Sequence, residues 1–304
     1  MSIKHTISQS LIKKFLKHGD EIPICPKNIY DTELDPKFER VPTDPMLKGS
    51  YFETLALGSG RGGEKTLDLP RKKLTVKQEA MNRVPIEQGK EPIMGGKTIG
   101  QIRIEEQAER FKILRAQRQI MLTEYNVQVP VYKKWEEDPS VFLRGELDIF
   151  PTPILGKEGY SMAMIDLKLT GDTDNTFGDF CWGDPFRMDH LQAQMYHYLV
   201  RDIDLNINKA CREIVTPAVI RMINDNNILF LYWVFSYGSG DLRDKFVRYD
   251  WDKTKEAELK QSIRRTISII EENESEGWPA VPEYERCSKC PIKDCTERCE
   301  IQAV

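Results

Sequence analysis

Val141-Phe-Leu-Arg-Gly-Glu-Leu-Asp-Ile-Phe150, followed by Met162-Ala-Met-Ile-Asp-Leu-Lys-Leu169, is the part of the sequence that decides the fold. Each run has the length and the apolar composition of a β-strand. The segment between them, Pro151–Gly159, is rich in proline and glycine, which favour turns. The pattern therefore predicts an antiparallel hairpin.

Three charged residues stand out in these largely apolar strands, namely Asp148, Asp166 and Lys168. Asp166 and Lys168 are two residues apart, so their side chains point to the same face of their strand. Buried charges are costly unless they are compensated, and a divalent cation held by the two carboxylates is the simplest compensation. Mg²⁺ prefers such oxygen ligands, and it can polarise a phosphate and activate water. The pattern indicates metal-assisted phosphodiester hydrolysis, in which the lysine orients water or offsets phosphate charge.

A helix is predicted over residues 189–199, and glutamine and tyrosine recur in it at helical spacing. Gln192 and Tyr196 lie four residues apart and therefore on one face, and Gln194 and Tyr198 offer a second pair with the same spacing. The order of hairpin, Asp-x-Lys and Gln-x-x-x-Tyr resembles the PD-(D/E)XK nuclease superfamily, specifically its RecB-like exonuclease branch. The pair Gln192 and Tyr196 matches that family better, because an apolar-periodic tail follows Tyr196.

The resemblance implies an α/β fold with a central mixed sheet flanked by helices, as in restriction endonucleases. It implies a catalytic group of Asp148, Asp166 and Lys168, with Gln192 and Tyr196 holding the substrate strand. In the family a helix beginning Gly-x-x-x-His supplies a metal ligand, and this chain has Gly49-Ser-Tyr-Phe-Glu53 there. By analogy, Mg²⁺ or Mn²⁺ is bound by four ligands: Glu53, Asp148, Asp166 and the Leu167 carbonyl.

Seven cysteines occur, and four of them crowd the end of the chain as Cys287, Cys290, Cys295 and Cys299. With Cys25-Pro26 near the start, they resemble the cysteine pattern of RecB-like nucleases that hold an iron–sulfur cluster, such as the AddB nuclease domain and four-cysteine CRISPR-associated exonucleases. The resemblance implies a 4Fe–4S cluster on Cys25, Cys287, Cys290 and Cys295, with Cys299 as a substitute. Thiolates also suit Zn²⁺, so a zinc site made by the four C-terminal cysteines is the alternative.

The chain divides into three parts on this reading. Residues 1–45 are an N-terminal helix (3–18) and the Cys-Pro segment, residues 46–275 are the nuclease core, and residues 276–304 are a cysteine-rich cap. Within the core, residues 58–100 form a flexible insertion rich in glycine, proline and lysine. Its Gly58–Thr66 stretch lacks the spacing of a phosphate-binding loop, so no nucleoside triphosphate is expected. Further helices are predicted over 46–57, 102–125, 210–224 and 253–272, and further strands over 127–135, 228–237 and 245–251.

Composition narrows the possible functions. The chain has 304 residues, 40% hydrophobic and 30% charged, with a net charge of −4. No apolar run is long enough for a membrane span and no signal-peptide core is evident, so a cytoplasmic protein is predicted. The acidic net charge means that DNA contacts must come from local basic patches.

The expected function is a metal-dependent exonuclease that acts on DNA ends in recombination, repair or phage DNA processing. Two alternatives are a non-catalytic DNA-end-binding module, which should have lost one acid or the lysine, and a zinc-stabilised structural protein. The sequence retains Asp148, Asp166 and Lys168, which favours the enzyme.

Overall fold

The computed structural model describes residues 3–16, 25–35, 37, 42–58, 69, 72–75, 95–156, 159–171, 190–238 and 241–282, and the single positions 287, 290, 292 and 295. These residues build a six-stranded mixed sheet flanked by helices, which confirms the predicted fold class. The strands are β1 (His5–Ser8), β2 (Val127–Lys134), β3 (Val141–Gly156), β4 (Gly159–Thr170), β5 (Ile228–Ser236) and β6 (Asp244–Tyr249). The helices are α1 (Gln9–Leu16), α2 (Pro26–Ile29) with a π-helical turn (Tyr30–Leu34), α3 (Asp44–Leu57), α4 (Ile99–Gln117), α5 (His190–Val200), α6 (Pro217–Asn224) and α7 (Lys253–Glu276).

The long strand β3 organises the sheet. The order runs β1-β3-β4-β5-β6, and β2 pairs with the remaining edge of β3. The pairs β1–β3 and β4–β5 are parallel, and the others are antiparallel. On one edge of β3, β1 pairs with residues 141–144 and β4 pairs with residues 149–156. That edge therefore changes partner between Arg144 and Ile149.

Two hydrophobic layers cover the centre of the sheet. On one face, here called the α5 face, α1, α5 and α7 pack through residues such as Ile12, Leu199 and Ile263. On the opposite face, the α3 face, Phe52 of α3 packs against Phe235 of β5, and Phe111 of α4 packs against Trp233 of the same strand. Because β4 and β5 are buried on both faces, their sequences read as nearly continuous apolar runs.

Several helices begin at side-chain caps that the sequence supplies. The hydroxyl of Thr98 accepts from the Gln101 N–H at the start of α4, and Asp252 accepts from two backbone N–H groups at the start of α7. The helix α7 ends at Gly277, which has a φ of 77° and so occupies the left-handed region that glycine tolerates. No helix in the described part of the chain combines the length and apolar character that crossing a membrane takes.

The predicted helix over 3–18 is wrong in its first half. His5–Ser8 form β1, which pairs in parallel with Val141–Arg144, and only Gln9–Leu16 are helical. The apolar spacing predicted a helix because Ile7 fits helical periodicity, but Ile7 is buried as a residue of the sheet and not on one face of a helix. Ser8 then caps α1, since its hydroxyl accepts from the Leu11 N–H at 3.3 Å. Tertiary pairing overrides the local pattern here.

Other boundaries differ more modestly. The antiparallel hairpin is confirmed, but its strands continue to Gly156 and resume at Gly159, so residues 151–156 are strand instead of turn. The helix predicted over 210–224 is interrupted, because Lys209–Cys211 form a 3₁₀ turn and α6 starts only at Pro217. The phosphate-loop stretch from residue 59 onward, most of the insertion, and Cys299 lie outside the described residues.

Gly145 lets α5 lie directly on β3. A Cβ atom at this position would lie 2.7 Å from Leu199 Cδ1 and 2.8 Å from Tyr196 Cε1, closer than real Cβ contacts allow. Both neighbours are buried in the same hydrophobic layer, so they have little room to move.

We expect Gly145→Ala to lower the free energy of unfolding by about 1–3 kcal/mol, because it overpacks this contact. Urea denaturation would measure the change. Gly100→Ala in α4 is the matched control, since a Cβ there meets nothing within 4 Å. The control should be neutral or stabilising by up to about 1 kcal/mol. Equal losses in both variants would contradict the packing argument.

Candidate active site

The candidate site lies where β3 and β4 diverge. The backbone ladder between the two strands ends at the pair Ile149–Ile165. Beyond it, the Leu167 N–H donates to Oδ2 of Asp148 at 2.6 Å, so a side chain replaces the partner strand. The two strands thus open into a fork, and a carboxylate lies in it.

Asp166 and Lys168 lie together on one face of β4, as their spacing predicts. Asp166 is 2% exposed, and its carboxylate forms an ion pair with the ammonium of Lys168. The same ammonium lies 5.8 Å from the ring centroid of Tyr232 on the neighbouring strand β5. The ring of Tyr232 and the carboxylate of Asp166 therefore hold the lysine in place.

The helix α5 reaches the fork through Gln192 and Tyr196. The Gln192 amide donates to Oδ1 of Asp166 at 2.9 Å and to the Tyr196 hydroxyl at 3.2 Å. The Tyr196 hydroxyl in turn donates to the Glu146 carbonyl at 2.8 Å. This chain of hydrogen bonds connects α5 to both strands of the fork.

The alternative pair, Gln194 and Tyr198, lies elsewhere. The Gln194 amide donates to the Tyr249 hydroxyl at 2.7 Å, and the Tyr198 ring packs against Trp135 with centroids 6.1 Å apart. Neither contact involves the fork. Gln192 and Tyr196 are thus the members of the helix that meet the acidic residues.

Glu53 approaches the fork from the opposite side of the sheet, on α3. Its side chain is half-buried. Burial and the negative charges of Asp166 and Glu146 raise the pKa of Glu53 to about 7, although Lys168 acts in the opposite direction. The structure therefore brings Glu53 into the same electrostatic environment as the residues of the hairpin.

The remaining site carboxylates are also difficult to ionise. Burial, followed by the charges of Asp166 and Glu53, raises the pKa of Asp148 well above its usual range. Burial also raises the pKa of Asp166, against the lowering effect of Lys168. Burial lowers the pKa of Lys168, but Asp166 and Asp148 raise it by more, so the lysine stays cationic.

The donor set fits a hard divalent cation in its chemistry and charge. Carboxylate oxygens are the ligands that Mg²⁺ and Mn²⁺ prefer, and a bound cation would relieve the repulsion that raises these pKa values. Within the described residues, no three histidine, cysteine, aspartate or glutamate side chains are grouped closely enough to hold a metal ion as they stand.

The two cysteine-bearing segments meet in the structure. The Val281 N–H donates to Sγ of Cys25 at 3.4 Å, and the Asn28 amide donates to Sγ of Cys290 at 3.0 Å. Tyr30 and Trp278 pack beside them with ring centroids 5.3 Å apart. The start and the end of the described chain are therefore neighbours.

Sequence reasoning missed Glu146. Its carbonyl anchors the Tyr196 hydroxyl and its charge raises the pKa of Glu53. The signal was available, because Glu146 precedes Asp148 by two residues on the same strand. It was overlooked because an exposed strand glutamate is ordinary on its own.

Comparisons with known proteins give the following result. No protein-family profile matches the chain, and no curated protein does. A crystal structure of a candidate exonuclease from Eubacterium rectale is 15% identical, with a TM-score of 0.44, covering 87% of this chain and 80% of its own. The crystal structure of SSO0001 is 10% identical, with a TM-score of 0.33, covering 95% and 84%. Both scores are too low to identify a family or an activity.

The raised pKa of Glu53 predicts how the stability of the metal-free protein depends on pH. When an acid binds its proton more tightly in the folded state, the protein loses stability as the pH rises. For Glu53 this loss occurs between its unfolded pKa, 4.5, and its folded pKa, about 7. Glu53→Gln removes this loss, so at pH 8 in chelator it should raise the free energy of unfolding by about 1–2 kcal/mol. Denaturation at pH 5 and pH 8 would measure it.

The control is Glu272→Gln, at an exposed position of α7, which should change stability equally little at both pH values. A Glu53→Gln variant that is less stable than wild type at pH 8 would show that the carboxylate is not strained by its neighbours.

Proposed function

We propose that this chain is a metal-dependent deoxyribonuclease that hydrolyses phosphodiester bonds at DNA ends. The observation that carries the proposal is the fork itself. There Asp148, Asp166 and Lys168 meet, joined by Gln192 from α5 and approached by Glu53 from α3. The buried Asp166 and the half-buried Asp148, beside a cationic lysine, suit a site that binds a cation and a phosphate together.

In this proposal the carboxylates of Glu53, Asp148 and Asp166 and the Leu167 carbonyl would hold the cation. A bound cation would lower the pKa of water and polarise the scissile phosphate. The Leu167 N–H already orients Asp148, and the Gln192 amide orients Asp166. Such contacts fix the ligands before the substrate arrives.

Lys168 positions the attacking water and offsets negative charge on the phosphate. In the metal-free site, Asp166 and Asp148 raise the pKa of Lys168, so the lysine enters this proposal as a cation with an electrostatic role. The water oxygen attacks phosphorus in line, and the bond from phosphorus to the leaving oxygen breaks. The proton of the water is released to solvent, and the leaving oxygen takes up a proton from solvent. The ammonium can stabilise the additional charge that develops on the phosphate oxygens.

Gln192 and Tyr196 act as positioning residues, because their hydrogen bonds hold Asp166 and the Glu146 backbone in place. The pKa of Tyr196 lies well above its ordinary value because of burial and the nearby charges of Asp166 and Asp148, so its hydroxyl remains a donor. It therefore keeps its bond to the Glu146 carbonyl and holds α5 against β3. Contact of these residues with the substrate strand belongs to the proposal by analogy, as do a role in recombination or repair and a cytoplasmic location.

Lys168→Ala should reduce degradation of end-labelled linear DNA with Mg²⁺ or Mn²⁺ by about 100-fold or more. Closed circular DNA should resist the wild-type protein. Lys253→Ala, at the exposed start of α7, is the control and should degrade linear DNA at the wild-type rate.

Cutting of circular DNA by the wild type would keep the nuclease and replace the exonuclease proposal with an endonuclease. Binding of DNA ends by metal-loaded wild type without any cutting would support the non-catalytic alternative. Full activity of Lys168→Ala would remove the lysine from the mechanism.

The cysteines have a structural role in this proposal. Cys25, Cys287, Cys290 and Cys295 would ligate a 4Fe–4S cluster that joins the two ends of the chain, with Zn²⁺ as the alternative. The contacts of Cys25 with Val281, and of Cys290 with Asn28, support a shared site because they bring the two cysteine segments together. A metal or cluster at this place would contribute directly to folding.

Anaerobically purified protein should therefore show a broad visible absorption band and bound iron. Cys290→Ser should lose both, whereas Cys211→Ser, at a buried cysteine of the 3₁₀ turn, should retain them. Colourless protein with stoichiometric zinc would favour the zinc alternative, and protein with neither metal would contradict both.

A further inference from the structure

One face of the sheet is partly exposed next to the candidate site. In β1 and the first half of β3, Ile7 and Leu143 point to the α5 face and are buried, whereas the residues that alternate with them are exposed or half-buried. Three exposed or half-buried residues are in register across the strands, since Ser8 and Tyr132 both pair with Arg144. Together with Glu146, these three residues are called the open strand face below.

A cavity of about 340 Å³ lies at this face. Its lining includes Ser8, Tyr132, Arg144 and Glu146 together with Tyr196 of α5. Tyr196 is hydrogen-bonded to Gln192, which contacts Asp166. The open strand face is therefore continuous with the acidic residues of the fork.

The spacing along β3 gives the scale of this surface. Arg144, Glu146 and Asp148 are alternate residues, and Arg144 lies four residues from Asp148. At roughly 3.3 Å per residue this is about 13 Å, a distance that a nucleic-acid strand spans in a few nucleotides. A strand cut at the fork could thus reach Arg144 without leaving the surface.

The side chains match the chemistry of an unpaired strand. Arg144 is exposed and can contact a phosphate through its planar guanidinium. Tyr132 is 36% exposed and offers a ring on which a base can stack, and a base is free to stack only when it is not paired. The Ser8 and Ser10 hydroxyls, 2.8 Å apart, lie beside Arg144 as further polar groups.

We propose that the open strand face binds a single nucleic-acid strand, with a phosphate on Arg144 and a base stacked on Tyr132. This deepens the proposed nuclease function and rests on it for the position of the cut. The enzyme would accordingly take its substrate as an unpaired strand for a few nucleotides beside the fork.

Glu146 opposes a phosphate in the middle of this surface. Its side chain is exposed, and its negative charge contributes to the raised pKa of Glu53. The phosphate contact is therefore placed at the Arg144 end, and Glu146→Gln should strengthen strand binding in the absence of a divalent cation.

Fluorescence anisotropy with a labelled oligothymidylate, in chelator so that nothing is cut, tests the proposal. Arg144→Ala should bind roughly fivefold more weakly and reduce the slope of log affinity against log salt by about 0.7. Arg144→Lys should restore that slope. Tyr132→Ala should bind roughly tenfold more weakly with an unchanged slope, and Tyr132→Phe should bind like wild type.

Two controls separate this surface from general charge and from duplex binding. Arg248→Ala removes an exposed arginine on β6, at the far edge of the sheet, and should bind like wild type. A blunt duplex should show no effect of Tyr132→Ala, since its bases are paired. The unfolding midpoint of each variant is measured alongside, and Arg144→Gln replaces the alanine variant if the latter is destabilised.

The outcomes distinguish the two proposals. Wild-type affinity in both Arg144→Ala and Tyr132→Ala, in a protein that cuts linear DNA, overturns the open strand face and leaves the nuclease standing. The expected losses in a protein that cuts no DNA with Mg²⁺ or Mn²⁺ support the binding surface and overturn the nuclease. A wild-type protein that neither binds nor cuts overturns both.

Discussion

The hydrogen bond from the Leu167 N–H to the Asp148 carboxylate is the interaction on which the site depends. It forms where the ladder between β3 and β4 stops, and it satisfies a backbone donor that the partner strand no longer reaches. Without it, the fork would leave that N–H without this acceptor, and Asp148 would lose the contact that orients it. One bond thus both ends the hairpin ladder and places a carboxylate.

Holding the charged groups of the fork close together costs the fold some stability. Burial and mutual repulsion raise the pKa values of Asp148 and Glu53, while Lys168 partly compensates them. Replacing such groups with apolar residues would often stabilise a protein, so their presence together is better explained by chemistry than by stability. The buried aromatic residues of β5 supply a rigid support for this arrangement.

The hairpin and the fork residues could be predicted from the sequence because short-range geometry determines them. Two residues along a strand, as for Asp166 and Lys168, and four along a helix, as for Gln192 and Tyr196, fix a common face whatever the rest of the chain does. The strand β1 could not be predicted, because Ile7 shares helical spacing with its neighbours and becomes a strand residue only by pairing with β3. The approach of Glu53 likewise depends on how α3 packs, which the family resemblance implied and local spacing did not.

The open strand face illustrates the same limit. The alternation of Arg144 and Glu146 with apolar residues is visible in the sequence, but whether a helix covers that side of the sheet is decided by distant segments. Helices α3 and α4 pack over β4 and β5, among the described residues, and leave the alternate residues of β1 and the first half of β3 exposed or half-buried. Exposure is therefore a property of the assembled layers.

The pairing of β1 with β3 makes residues 5–8 part of the half of the sheet that contains the candidate site. Residues His5–Ser8 occupy the edge of β3 that β4 leaves, and their partners are Val141–Arg144. During synthesis, more than a hundred residues are added after this strand before its partner, β3, is made. Such long-range parallel pairing is slow to form. Until β1 has paired with it, the β3 edge next to Gly145 is an open template for a strand from another molecule. A fusion or trimming at the amino terminus would therefore act on assembly of the fork, although it lies far from it in the sequence.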